Sequence, residues 1–269
     1  MGVINVTPDS FSDGGALHEE GVLSVDLCLR RARQMLADGA DILDIGGEST
    51  RPGAAPVPLQ EEMDRVLPVV EAVAAELGPH ISVDTSSPEL MAEAVARGAW
   101  MINDVRALRR PGAVATAAAS GARVCLMHMQ GAPDTMQLAP EYDDVVEETG
   151  VFLLERAQIC MDAGVPRSKI WLDPGFGFGK TLRHNLDLLA GLSRLCELGF
   201  PLLVGLSRKS MIDKIAGCAV EDRLPGSLAL AVLAADRGAG IIRTHDVAET
   251  AAALAIVSAL QGLGVEAPP

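Results

Sequence analysis

The chain has 269 residues, 49 % of them hydrophobic, and a formal charge of −14 from 22 basic and 36 acidic side chains. That length admits one α/β barrel or two smaller domains, and the apolar content suffices for one sizeable core. So acidic a chain is a poor partner for nucleic acid or an anionic membrane, and an anionic ligand must be held by a local cluster of cations.

No apolar run reaches the roughly 18 residues of a membrane span. The first ten residues show neither the basic region nor the cleavage pattern of a signal peptide. The five cysteines, at 28, 125, 160, 196 and 218, contain no CxxC pair. They read as core filler in a reduced, cytoplasmic setting.

In chain order, short β-branched runs at 3–6, 42–45, 81–84, 101–103, 124–127, 170–173, 202–205 and 241–244 alternate with helical patterns. The helices are expected near 22–38, 60–77, 88–97, 111–120, 143–163, 183–198, 226–237 and 247–262. Eight strand–helix units predict a single (β/α)8 TIM barrel over 1–264, with 265–269 as a frayed tail. The nearly continuous apolar strands suit a parallel sheet buried on both faces.

A barrel places its chemistry at the C-terminal ends of the strands. Those ends carry Asn5, then Asp9 and Asp13; Asp44, then Glu48, Thr50 and Arg51; Asp84; Asn103 and Asp104; His128; Asp173; Ser207, Arg208 and Lys209; Arg243 and His245. Every strand contributes a polar residue where burial is expensive. Asp84, Asn103 and Asp173 together would offer hydrogen-bonding edges to a heterocycle rich in N–H groups. The bland alternative is that each caps the helix that follows. Arg51, Lys209, Arg243 and His245 form a cationic group in loops where barrels commonly hold phosphate. The plain alternative for Arg243 is an ion pair with Asp246 or another nearby acid. His128, between two methionines, reads as packed and not catalytic.

The stretch 170–180, IWLDPGFGFGK, invites two false motifs. A P-loop would need its first glycine at Pro174, which has no N–H to offer a phosphate, and GxGxxG would need its third at Lys180. What remains is a strand ending in Asp173 beside a glycine-walled loop. Asn5 with Asp9 or Asp13 offers oxygen donors to a hard cation such as Mg2+. Neither a zinc spacing nor a nucleophile elbow is apparent.

The runs NVTPDSFSDGG, GGESTRPG, SVDTS, INDV, CLMHMQG, LDPGFGFGK, GLSRKS and RTHDV resemble, in order and spacing, the dihydropteroate synthases of folate biosynthesis, over residues 1 to about 262. The resemblance implies condensation of 6-hydroxymethyl-7,8-dihydropterin pyrophosphate with p-aminobenzoate, releasing pyrophosphate. It implies a pterin site of Asp84, Asn103, Asp173 and Lys209, walled by Met127 and Phe178. Arg243 and His245 would meet the pyrophosphate, with Asn5 holding Mg2+. Lys209, Arg243, His245 and Asp84 would carry the catalysis. Phe11, Thr50, Arg51, Pro52 and Ser207 would shape the p-aminobenzoate pocket, the target of sulfonamides. The family pattern also implies a homodimer, for which helices near 226–237 and 247–260 offer apolar faces, and a short segment ahead of the first strand. A pterin-binding methyltransferase and a non-catalytic pterin-binding protein are the competing readings. SRKS and RTHD favour the synthase, since a methyl transfer needs no pyrophosphate cluster.

Overall fold

The computed structural model of the chain describes residues 1–7, 17–19, 22–49, 57–78, 80–131 and 135–262. Among them, eight parallel strands alternate with helices. The strands are β1 (Gly2–Asn5), β2 (Leu43–Gly46), β3 (Ile81–Asp84), β4 (Met101–Asp104), β5 (Arg123–Met127), β6 (Ile170–Asp173), β7 (Leu203–Gly205) and β8 (Ile241–Arg243). The first six form one ladder in chain order, and β7 pairs with β8. Single bridges from Leu172 to Leu202 and from Gly2 to Thr244 join these pieces into a ring. The Val3 N–H donates to the Thr244 carbonyl at 3.1 Å across the closing seam. The expected barrel is therefore closed, and no strand edge among these eight is left open.

Side chains alternate along each strand. Ile4, Ile45, Val83, Ile102, Leu126, Leu172, Val204 and Ile242 pack in the large core with helical residues. The opposite positions face the barrel axis. Low in the barrel, Ile42, Met101, Cys125, Leu203 and Ile241 form an apolar plug with Trp171 packed on it. Two residues further along the same strands come Asp44, Asn103, Met127, Gly205, Arg243 and Asp173. The period of two that fills the plug therefore also aims the polar residues at one end of the barrel.

The helices are α1 (Val25–Ala37), α2 (Leu59–Leu77), α3 (Pro88–Ala96), α4 (Ala113–Ser120), α5 (Val145–Asp162), α6 (Leu182–Ala190), α7 (Leu192–Cys196), α8 (Ser210–Ala216), α9 (Leu224–Asp236) and α10 (Val247–Leu260). Their starts follow local chemistry. The Asp144 carboxylate accepts the N–H groups of Val146 and Glu147 at the head of α5, and Thr181 with His184 makes a capping box on α6.

Three elements differ from the sequence reading. The pattern at 22–38 begins with a two-residue strand, Val22–Leu23, paired with His18–Glu19, and its helix starts only at Val25. The pattern at 183–198 breaks at Gly191, where a Cβ would lie 2.7 Å from Val146. The seven-residue α8 was not foreseen, because two turns carry too little periodicity to read. All five cysteines are free thiols, and Cys28, Cys125 and Cys160 are buried as filler. No helix among the described residues is long and apolar enough to cross a membrane. The expected tail at 265–269 lies outside the described residues.

Gly175, just after β6, has φ +68°, and an added Cβ would stand 1.9 Å from the His128 carbonyl oxygen. Gly217, at the end of α8, has φ +64° with nothing within 4 Å. Gly217→Ala should therefore cost only the left-handed strain, about 1–2 kcal/mol. Gly175→Ala adds a backbone collision and should cost at least about 3 kcal/mol. Paired urea melts of the two variants check this; equal losses would refute the close approach.

Candidate active site

The strand tips open into a cavity of about 770 Å³. Its lining includes Asn5, Asp84, Asn103, Met127, Asp173, Phe178, Ser207, Lys209, Arg243 and His245. Ten of the predicted site residues, drawn from seven different strands and their loops, thus share one space. Phe11, Thr50, Arg51 and Pro52, with Asp9 and Asp13, lie outside the described residues.

Arg243 organises the floor. Its Nε donates to Asp44 Oδ2 at 2.6 Å and its Nη2 to Asp84 Oδ2 at 3.0 Å. Asn103 Nδ2 donates to the same Asp44 oxygen at 3.2 Å, while Asp44 Oδ1 is buried without a partner. Asp44 is fully buried. The capping alternative for Asp84 is thereby set aside. Asp246, the plain partner proposed for Arg243, instead pairs with Arg208. Asp84 holds its proton more tightly than an ordinary carboxyl, first through burial and then through the charge of Asp44, against the pull of Arg243. Burial works against the charge of Arg243, but Asp44 and Asp84 outweigh it and push the group further toward its charged form.

Asp104, beside Asn103, is structural. It accepts the N–H groups of Arg106 and Leu108 at 2.8 Å each and the Ser86 hydroxyl, and so ties the turn after β4. Arg106 from that turn grips Glu48 with both terminal nitrogens, at 3.0 and 3.3 Å. The start of the loop after β2 is thereby fixed at the cavity wall.

Loops seven and eight meet at Ser207 and His245. Ser207 Oγ accepts the His245 N–H at 3.3 Å and lies 3.0 Å from Nδ1. The hydroxyl has its own hydrogen to give to Nδ1, and that tautomer leaves Nε2–H as a donor. Burial, then the charges of Arg243 and Arg208, lowers the His245 pKa to about 3, so the ring is neutral. Arg208 stands at φ +56°. Its backbone N–H donates to Ser227 Oγ, its carbonyl accepts from Arg223, and its guanidinium pairs with Asp246. Those contacts support an otherwise unfavourable backbone and turn Ser207 and Lys209 toward the cavity.

At the far wall, Lys209 Nζ stands 4.3 Å from the centre of the Phe178 ring. Asp173 Oδ1 accepts the Gly175 N–H at 2.7 Å. Burial raises the Asp173 pKa to about 6, against that hydrogen bond and the charges of Lys209, Arg243 and Lys180. His128 is buried and packs edge-on to Phe152 at 5.0 Å, as its sequence context suggested. Sequence reasoning missed Lys180, dismissed with the P-loop tail, and also Thr7, Asn185 and Arg223, which line the cavity as well. The glycine-rich run before Lys180 was the one available signal, since such a tight loop needs its carbonyls satisfied.

A closed barrel whose tips set carboxylates and a carboxamide against a cationic shoulder defines a class: enzymes that hold an N–H-rich ring together with an anionic group. Residues 1–245 match the family of pterin binding enzymes. The chain is 53 % identical to dihydropteroate synthase of Escherichia coli K12 over 259 residues, covering 96 % of this chain and 90 % of that protein. The Yersinia pestis dihydropteroate synthase, solved as a sulfonamide drug complex, superposes with a TM-score of 0.93 at 51 % identity, covering 97 % and 94 % of the two chains. The Xanthomonas albilineans enzyme in complex with 7,8-dihydropteroate gives 0.85 at 47 % identity, covering 100 % and 94 %. The chain belongs to the dihydropteroate synthase family.

Asp173 links this site to stability. Its folded pKa, about 6 against an ordinary 3.8, means that folding disfavours the ionised carboxylate. The penalty is absent below about pH 4, grows through the interval and is complete above about pH 6. Asp173→Asn should therefore raise the melting temperature of the ligand-free protein at pH 8 by about 4–8 °C and change it little at pH 4. Calorimetry at the two pH values checks the sign; a variant less stable at pH 8 would refute it.

Proposed function

We propose that this synthase condenses 6-hydroxymethyl-7,8-dihydropterin pyrophosphate with p-aminobenzoate, giving 7,8-dihydropteroate and pyrophosphate. The observation that carries this reading is the cavity itself. Asp84, Asn103 and Asp173 share one space with Lys209, Arg243 and His245. That space suits a ligand that is N–H-rich at one end and anionic at the other. The product and the sulfonamide bound by the Xanthomonas and Yersinia relatives extend to this chain as ligands of the same cavity.

Asp173 and Asn103 take the N–H edge of the pterin, with Met127 and Phe178 against its faces and Lys209 beside it. The bond between the methylene carbon and the pyrophosphate oxygen breaks with both electrons leaving on oxygen. Arg243 and the Nε2–H of neutral His245 stabilise the charge that develops there. The dihydropterin ring delocalises the carbon's positive charge, and Asp84 stands at that wall. The aniline nitrogen of p-aminobenzoate then forms the new C–N bond and releases a proton. Such an SN1-like course needs no strong general base.

Phe11, Thr50, Arg51 and Pro52 are assigned, with Ser207, to p-aminobenzoate recognition. The Asn5 carboxamide lines the cavity at the tip of β1. Among the described residues no group of three or more His, Cys, Asp or Glu is arranged to hold a metal ion. The Asn5 carboxamide oxygen is a hard donor that fits Mg2+, with most of the ion's shell coming from pyrophosphate and water. When bound, the ion adds charge neutralisation at the leaving group. The five free thiols support a cytoplasmic setting. Exposed Leu233, Ile256 and Leu260 on α9 and α10 support a homodimer through those helices.

The test is pyrophosphate release with and without p-aminobenzoate, with dihydropteroate measured in parallel. Stoichiometric release and product formation, inhibited by a sulfonamide competitively with p-aminobenzoate, are expected. Pterin binding without either product would overturn the reading. Arg243→Lys keeps the charge but loses the fork that grips Asp44 and Asp84. It should lower kcat/KM by about a hundredfold or more.

A further inference from the structure

The loop from Pro174 to Lys180 leaves β6 and carries Phe178 into the cavity. Its backbone has few partners of its own kind, yet its carbonyls are met by side chains. Gly177 accepts from Gln137 at 2.6 Å, Gly179 from the Tyr142 hydroxyl at 2.8 Å and Lys180 from Asn185 at 3.3 Å. Two more are met from within the loop, and the Gly175 carbonyl also accepts the Phe178 N–H at 3.1 Å. Lys180 folds back so that Nζ donates to the carbonyls of Gly175 at 3.0 Å and Phe178 at 3.1 Å.

The third contact of that nitrogen is His128 Nδ1 at 2.9 Å. Burial lowers the Lys180 pKa to about 7, against the charge of Asp173, and the ammonium form has three hydrogens for the three acceptors it meets here. Lys180 is only 2 % exposed. Burial and the charge of Lys180 depress the His128 pKa to about 2, which keeps the ring neutral and Nδ1 an acceptor. His128 in turn sits at the end of β5, beside the cavity residue Met127. An added Cβ at Gly175 would strike the His128 carbonyl, and one at Gly179 would lie 2.7 Å from the Gln130 carbonyl. The loop is thus pressed onto the segment 128–130 and pinned there by one cation.

We infer that Lys180 and His128 form a positioning clasp, which holds the loop so that Phe178 and Asp173 keep the spacing of a slot for the pterin ring. Because it acts through the loop that carries Phe178, the clasp bears on affinity for the pterin substrate before that for p-aminobenzoate. This rests on the reading of Asp173 and Phe178 as the pterin wall. Uncharged methionine in place of Lys180 would leave the Phe178 carbonyl without that donor and the Gly175 carbonyl with the Phe178 N–H alone, and the loop would open to find water. Leucine in place of His128 removes one acceptor, whereas asparagine returns an oxygen near the position of Nδ1.

The experiment is steady-state kinetics with each substrate varied, on Lys180→Met, His128→Leu and His128→Asn. Asp173→Asn and Phe178→Ala serve as reference variants, and a melting temperature is recorded for each protein. Lys180→Met and His128→Leu should raise KM for dihydropterin pyrophosphate about tenfold or more, with KM for p-aminobenzoate and kcat within about threefold of the parent. His128→Asn should return the pterin KM to within about threefold of the parent. If Lys180→Met does not fold, the two His128 variants decide the matter by the same criterion. Clasp variants with an unchanged pterin KM, beside reference variants that raise it, overturn the clasp alone. An unchanged pterin KM in all five overturns the pterin wall and the clasp with it. A parallel rise in both KM values that tracks the loss of melting temperature marks a merely structural lysine and overturns the proposal.

Discussion

The grip of Arg243 on Asp44 and Asp84 is the constraint on which the mouth of the barrel depends. It joins the last strand to the second and third across the pore, and Asn103 adds the fourth. Removing two carboxylates and a guanidinium from water is expensive, and such a group seldom adds net stability. What it supplies is direction. Asp44 is fully enclosed, so it can serve no ligand itself, but it fixes the guanidinium plane against which Asp84 and Asn103 are set. Gly46 makes room for this arrangement, since a Cβ there would lie 3.1 Å from Asp84 Cβ.

That grip is possible only because the barrel closes. Asp44 and Arg243 are 199 residues apart in the chain. Two single bridges, at Leu172–Leu202 and Gly2–Thr244, complete the ring that brings them together. Below them the plug of Ile42, Met101, Cys125, Leu203 and Ile241 excludes water from the axis. The charged layer therefore rests on an apolar floor and borders the open cavity above, a setting in which fixed dipoles and charges act more strongly than in bulk water.

Much of this was legible in the chain. Strand endings carry their own signal: an apolar run that stops at Asp84, Asn103 or Asp173 names both the strand and the residue it aims. The barrel then places all the tips together with no need for contact information. Pairings were not legible. Nothing local to Arg243 tells it from Arg208, yet one meets Asp44 and Asp84 while the other meets Asp246. Asp246 is the nearer in sequence to Arg243, and the backbone sends the two apart. Lys180 was hidden for a different reason. Its partners are backbone carbonyls of its own loop and one histidine, and a carbonyl leaves no trace in residue identity.

The charge distribution adds a last step. With a formal charge of −14 the chain as a whole repels both an aryl carboxylate and a pyrophosphate, and at physiological salt that field fades within about 8 Å. Among the described residues the attractive group includes Lys209 and Arg243 at the mouth, with neutral His245 adding a hydrogen-bond donor but no charge. Neutrality there is useful. A protonated imidazole beside Arg243 and Arg208 would add repulsion to the empty site, whereas a neutral ring still offers Nε2–H to an oxygen that becomes more negative as its bond to carbon breaks. The donor strengthens its bond as charge develops and asks for no proton transfer. Stabilisation of that kind grows toward the transition state more than in the bound substrate, and this difference is what accelerates the chemical step.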